Sequence, residues 1–327
     1  MLSSNNTADP KLISVIVPVY NEEDTIGLFF EEFSRIKSLV KNYSLQLLFV
    51  NDGSIDATRR KIDDLSRQND DVSVIHLSRN FGKEAAMSAG LDFAAGAAVA
   101  IFDVDLQDPL DLLPKFIECW EAGYDVAYAK RTHRQGETWL KKITATLFYR
   151  FIGKFSNVKI PADTGDCRLM SRRVVDEIVK LRENHRFMKG IFSWVGFPSV
   201  AVEFERKPRS AGTTKFNYFK LWNFAVEGIT SFSIAPLKVA TYLGFFMSLG
   251  AFLFGVWVIL KTVIFGEIVQ GYPTLMVSIL FLSGIQIMFM GIIGEYVGRI
   301  FGESKSRPIY VVESIVNGKC VVGAKEK

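Results

Sequence analysis

Asp103 and Asp105 stand on either side of Val104, and Leu106-Gln107-Asp108-Pro109 follows them. Two carboxylates so close together can share a hard divalent cation. Mg²⁺ takes few protein ligands and fills its remaining positions with water and substrate phosphate oxygens. A D-x-D triplet also occurs on solvated acidic turns. Here the apolar run AVAIF precedes it, which sets the pair at the end of a buried strand and favours the cation. A second acidic signal, Asn51-Asp52-Gly53-Ser54, closes the run LQLLFV. Asp52 can hydrogen-bond a ribose or a base, or it can cap the next helix, a task better suited to Asp56. Neither the dinucleotide glycine fingerprint nor a phosphate-binding P-loop occurs, which disfavours an oxidoreductase or an ATPase. The three cysteines, Cys119, Cys167 and Cys320, form no disulfide framework and match no zinc spacing.

The elements that must position these residues follow from periodicity. From Ile13 to about Arg131, short β-branched runs alternate with helical ones. ISVIVPVYN, LQLLFVND, VSVIHLS, AVAIFDVD and YDVAYAKR read as buried strands, with helices near 25–41, 56–69, 83–96 and 110–122. Such alternation predicts an α/β fold with a largely parallel sheet covered on both faces. Ligands of that architecture bind beyond the carboxyl ends of the strands, where Asn21-Glu22, Asn51-Asp52, Arg79-Asn80 and Asp103–Asp105 fall.

The 327 residues include 49% hydrophobic and 23% charged side chains, and the mean hydropathy is +0.18. Ordinary charge with positive hydropathy predicts two unlike parts. Val239 to Leu260 and Ile268 to Gly294 carry no charge. The first run alone spans about 33 Å as a helix, enough to cross a hydrocarbon core of about 30 Å. The net charge of +4 is local. Arg206, Lys207, Arg209, Lys215, Lys220 and Lys238 stand against Glu227 in 206–238, and the rest of the chain is nearly neutral. Basic residues before the first span, and Arg299, Lys305 and Arg307 after the second, predict both termini on the cytoplasmic side of a multi-pass inner (plasma) membrane protein. The polar start MLSSNNTADP has no apolar signal-peptide core.

Together the motifs form a resemblance. Val17-Pro18-Val19-Tyr20-Asn21-Glu22, Asn51-Asp52-Gly53-Ser54 and Asp103-Val104-Asp105 resemble the inverting family 2 glycosyltransferases of the GT-A fold. Ser78-Arg79-Asn80-Phe81-Gly82-Lys83, Asp105-Leu106-Gln107-Asp108-Pro109, Thr164-Gly165-Asp166-Cys167-Arg168-Leu169 and the terminal hairpin are similar to the polyisoprenyl-phosphate glycosyltransferases. That group includes dolichol-phosphate mannose synthase and the bactoprenol glucosyltransferases. The resemblance covers residues 12–310. It implies a Rossmann-like GT-A domain with a two-helix transmembrane hairpin, a nucleotide-sugar donor, Mg²⁺ or Mn²⁺, and a polyisoprenyl phosphate acceptor. UDP-glucose is the favoured donor, nucleic acid is no partner, and a homo-oligomer is compatible with so small a membrane part.

Carried over by position, the resemblance implies that Pro18, Tyr20 and Glu22 line the nucleobase pocket, with Asp52 on base or ribose. Asp103, Asp105 and Gln107 would hold metal and diphosphate, and Lys83 and Arg131 would join the donor set. Asp166 takes the position of the catalytic acid/base, beside Asp105. Arg168, Arg209 and Lys215 would meet the acceptor phosphate. Cys167 stands where Phe is more usual, and nothing nearby looks like a base that would activate it. His76 reads as a packed strand histidine. The expected parts are a tail over 1–11, a GT-A domain over 12–208 and a juxtamembrane segment over 209–237. Membrane helices over 238–265 and 268–294 and a cytoplasmic segment over 295–327 complete the chain. A donor of GDP-mannose and a catalytically inactive scaffold that binds sugar nucleotide or lipid are the alternatives. A processive polysaccharide synthase is disfavoured, since its Gln-x-x-Arg-Trp motif and further spans do not occur.

Overall fold

A computed structural model describes residues 11–132, 164–184, 186–205, 235–265 and 271–316. Four strands form the parallel centre: β1 (Lys11–Val19), β2 (Tyr43–Asn51), β3 (Val72–Leu77) and β4 (Ala98–Ile101). Their residues are near-continuously apolar because both faces are covered. On β4 the alternation is direct: Ala98, Ala100 and Phe102 enter one core, and Val99 and Ile101 enter the other. The helices α1 (Ile26–Leu39), α2 (Thr58–Gln68), α3 (Lys83–Phe93) and α4 (Leu112–Glu121) fall where periodicity predicts them. In α1, Ile26, Phe29, Phe33 and Ile36 form the buried stripe.

Helix α3 must pass close to β1, and its composition of small residues permits this. A Cβ on Gly90 would stand 2.3 Å from Cγ2 of Ile16. The close approach fixes where α3 begins, and therefore where Lys83 sits.

Beyond the parallel centre, the predicted strand YDVAYAKR forms β5 (Val126–Arg131), and β6 (Thr164–Ser171) and β7 (Ser199–Phe204), which lie past the predicted strands, extend the sheet, with α5 (Arg172–Lys180) and α6 (Met188–Trp194) between β6 and β7. The order is β7-β5-β6-β4-β1-β2-β3-β8. Strand β6 inserts antiparallel between β4 and β5, with Ile101 opposite Arg168, so Asp166 arrives beside the end of β4. The sheet is thus mostly parallel, as expected.

Helices α7 (Ala235–Phe265) and α8 (Tyr272–Ser304) form the C-terminal pair. Helix α8 runs past the expected boundary at 294. Charge ends an apolar run without ending a helix, and Glu295 and Arg299 pair at 3.1 Å within it. Among the described residues, Phe281–Ser304 is the stretch long and apolar enough to cross a membrane, and none of it is buried. The chain then returns to the sheet. Strand β8 (Val312–Val316) pairs antiparallel with β3, so the expected C-terminal segment supplies an edge strand. Arg59 holds Glu313 at 2.9 Å, and the Asn184 amide donates to Glu303 at 2.7 Å.

Candidate active site

The carboxyl ends of β1, β2 and β4 open on a cleft of about 320 Å³. Of the residues expected to bind the donor and metal, Pro18, Tyr20, Glu22, Asp52, Lys83, Asp103 and Asp105 line it. Its walls are set by turns. Asn21 has φ +53; its amide donates to Ser54 Oγ at 3.0 Å and its Oδ1 accepts the Ile55 amide at 2.9 Å. Gly53 has φ +67, and a Cβ there would stand 2.5 Å from the Arg79 carbonyl carbon. Glycine is required on both counts. Tyr20 remains 40% exposed at the rim, a ring available for stacking.

Asp52 is buried and accepts the amides of Phe81 at 2.7 Å and Gly82 at 2.9 Å. Burial pushes its carboxyl above the ordinary range, against the pull of those two amides. The side chain therefore fixes the loop that delivers Lys83. Helix capping falls to Asp56, whose Oδ1 accepts the Thr58 amide at 3.0 Å.

The centre of charge is Lys83. Its Nζ lies 2.6 Å from Asp103 Oδ1 and 2.7 Å from Asp166 Oδ2. Burial alone would lower the ammonium's pKa, but the two carboxylates hold it well above its ordinary value. Burial would likewise raise Asp166, yet Lys83 first, then Lys189 and Arg168, bring it down to about 2. Among the described residues its buried Oδ1 has no hydrogen-bond partner. Beside it Glu84 is pushed up to about 7, chiefly by burial and then by the Asp166 charge.

Asp105 Oδ1 accepts the Gln107 amide at 3.2 Å, closing a turn in which Leu106 has φ +55. A left-handed leucine costs about 1 kcal/mol or more; its side chain packs against the core, which holds the turn. Among the described residues no group of three or more His, Cys, Asp or Glu is placed to hold a metal ion. The hard oxygen donors at the cleft are the two carboxylates of Asp103 and Asp105. Hard oxygen donors in that small number fit Mg²⁺ or Mn²⁺, which keep positions for water and substrate oxygens.

Besides Asp166, three expected residues with described positions are not among those lining this cleft. Gln107 is buried. Arg131, at the end of β5, has Nη2 3.7 Å from Asp108 Oδ1. Arg168 is buried, gives its guanidinium to the Gly165 and Asp166 carbonyls at 3.0 and 3.3 Å, and stacks 3.8 Å over Phe192. Arg209 and Lys215 lie outside the described residues. Cys167 is buried and its thiol is pushed up by that burial, as a packing residue's should be. His76 is buried between Asn51 and Asp63 at 3.0 and 2.8 Å, as expected. Sequence reasoning missed Glu84 and Lys189. The first had a signal in its place next to Lys83, whereas the second reaches Asp166 only through the tertiary fold.

Residues 14–179 match the glycosyl transferase family 2 model, and residues 235–300 match the GtrB C-terminal hairpin. A bactoprenol glucosyl transferase of Shigella phage SfX is 49% identical over 302 residues, covering 92% of this chain and 99% of that protein. An uncharacterized glycosyltransferase of Synechocystis sp. is 48% identical over 303 residues, covering 93% of this chain and 95% of that protein. Among solved structures, glucosyl-3-phosphoglycerate synthase from Mycobacterium tuberculosis, in complex with Mn²⁺, UDP-glucose and phosphoglyceric acid, overlays with a TM-score of 0.45. It is 18% identical over 67% of this chain and 78% of that one, a likeness too shallow to carry an argument. One family model spans just over half of the sequence, and relatives of nearly half identity span almost all of it: the chain belongs to glycosyl transferase family 2.

Proposed function

We propose that this glycosyltransferase moves glucose from UDP-glucose to the phosphate of a bactoprenol-type polyprenyl lipid at the cytoplasmic face of a membrane. The observation that carries the reading is the cleft at the strand ends whose Lys83 pairs with Asp103 and with Asp166, on a chain that also bears an apolar helical pair. The full-length similarity to a bactoprenol glucosyl transferase supports the donor sugar and the acceptor.

In this reading Tyr20 and Pro18 receive the base, and Asp52 keeps the Phe81–Gly82 loop in place while facing the ribose. Asp103, Asp105 and Gln107 would hold the divalent metal, which would offset the charge growing on the departing diphosphate. Lys83 turns from its carboxylates to a diphosphate oxygen, and Arg131 supports the same group. The acceptor phosphate oxygen forms a bond to the anomeric carbon as the bond to UDP breaks, and UDP departs with the electron pair. The product is inverted.

An ordinary carboxylate titrates well below neutral pH, and against burial Lys83 holds Asp166 lower still in this structure, which makes it a poor general base where a useful base titrates near the working pH. A phosphate monoester, with a second pKa of about 6, is already largely dianionic there. Asp166 therefore orients the reacting groups and orders Arg168. The GT-A domain occupies 12–208, with strand β8 returning to it. Arg209 and Lys215, outside the described residues, would gather the acceptor headgroup. Spans near 238–265 and 268–294 leave both termini cytoplasmic.

The test is a donor screen: thermal shift and turnover with UDP-glucose, UDP-galactose, UDP-N-acetylglucosamine and GDP-mannose, each with Mg²⁺ or Mn²⁺. UDP-glucose should give the largest metal-dependent response. Turnover with GDP-mannose alone would replace the donor, and no turnover with any of them would make the chain a binding scaffold.

A further inference from the structure

A second cavity, of about 170 Å³, is lined by Thr164 and Arg168, which stand two residues to either side of Asp166 on β6. Its lining includes Lys189, Arg168, Thr164, Tyr128, Phe192 and Phe197, which combines two cations with aromatic walls. Donor cleft and cavity share no lining residue. Asp166 is tied to a lining residue of each: Lys83 of the cleft pairs with its carboxylate, and Arg168 of the cavity donates to its carbonyl.

The cations around Asp166 are engaged very differently. Lys83 sits between two carboxylates, and Arg168 is spent on two carbonyls and the Phe192 ring. Lys189 acts on Asp166 and Glu84 through charge alone. Among the described residues its ammonium has neither an ion pair within 4.0 Å nor a hydrogen bond. The side chain is half-buried, a position in which a cation favours an anionic partner.

Its backbone is well anchored. Met188 and Ile191 are fully buried on either side, and the Met188 amide donates to Glu84 Oε2 at 3.2 Å. Helix α6 is thereby fastened to the start of α3, next to Lys83. Lys189 thus faces the reaction centre from a fixed base.

We propose that this cavity is the acceptor subsite and that Lys189 contacts the phosphate monoester held there. The proposal rests on the function proposed above and adds the residue that recognises the acceptor. The ligand must carry negative charge for Lys189 and an apolar neighbour for Phe192, Phe197 and Tyr128. A phosphate on the first isoprene unit of a lipid meets both demands, whereas the cavity is too small for a whole polyprenyl chain. Inorganic phosphate shares only the first property.

The test uses the full chain in lipid nanodiscs, as wild type, Lys189→Ala and Lys189→Arg. Loss of a charge-assisted contact should raise the KM for undecaprenyl phosphate by about 10- to 100-fold, while the KM for UDP-glucose stays within about twofold. Lys189→Arg should restore most of the acceptor affinity. An unchanged acceptor KM, or equal changes in both KM values, would overturn the proposal. Matching melting temperatures for the three proteins separate contact from misfolding. If Lys189→Ala melts lower, the Lys189→Arg KM pair decides alone.

Binding of farnesyl phosphate without donor or metal gives a second readout. Lys189-dependent binding in a protein that transfers no sugar would keep the subsite and reject the proposed function. Transfer by the wild type with no Lys189-dependent binding would do the reverse. Inorganic phosphate bound as tightly as farnesyl phosphate would mark a free-anion site and reject the lipid assignment.

Discussion

The sheet domain and the helical pair use the same side chains in opposite ways. Phe29, Phe33 and Phe49 are fully buried in the sheet domain, while Phe245 and Phe252 in α7 are 62% and 66% exposed. Charge shows the reverse arrangement. Asp103, Lys83 and Asp166 gather at the strand ends of the sheet domain, and the long uncharged runs belong to α7 and α8. An aqueous domain hides apolar surface and concentrates charge where chemistry occurs. The helical pair exposes apolar surface on a scale that water would penalise, which makes lipid its fitting solvent. The difference shows why a sugar-nucleotide cleft and an apolar acceptor can be served by one chain.

The largest expected effect tests the charged side of that contrast. Asp103→Asn combined with Asp105→Asn should lower transfer by about 10³-fold, with folding intact by circular dichroism, because the two carboxylates proposed to hold the metal are lost. A chelator should act as strongly on the wild type and change the double variant little.

The packing contrast comes next. Phe33→Ala should cost about 3–5 kcal/mol by denaturant unfolding, whereas Phe252→Ala in detergent should cost well under 1 kcal/mol. Equal losses would mean that α7 is buried against protein rather than lipid.

Asp166→Asn should lower kcat by about 10- to 100-fold, with the pH profile of the residual activity unchanged between pH 6 and 8. A new dependence on pH in that range would restore Asp166 as the proton acceptor.

The smallest effect is on stability. Glu84, at about 7 in the folded chain against an ordinary 4.5, binds its proton more tightly when folded. Its protonated form thus favours the folded state fully below about pH 4.5, and that contribution is lost as pH rises through about 7. Glu84→Gln should therefore raise Tm relative to wild type by about 2–4 °C at pH 8 and hardly at all at pH 4.5. A gain of the same size at both pH values would trace to packing instead of titration.

The central sheet was legible because doubly covered strands have continuous apolar runs. Strands β7 and β8 were not, since SVAVEF and VESIV mix exposed and half-buried residues at the sheet edges. Nothing local in VESIV tells that it returns to β3 across the helical pair. In the site, Asp103 and Asp105 were legible from the strand that ends at them. The bridge from Lys83 to Asp103 and Asp166 needed the insertion of β6 beside β4, a pairing between residues far apart in sequence. Lys189 had no local signal at all, because only the packing of α6 on α3 brings it near Asp166.

The most direct measurement is transfer itself. The full-length protein in nanodiscs is given radiolabelled UDP-glucose, a divalent cation and undecaprenyl phosphate, and the label is followed into the organic phase. The account predicts extractable label that requires both the cation and the lipid phosphate. Label released only as free glucose, or lipid labelling that persists without the phosphate group, would contradict it.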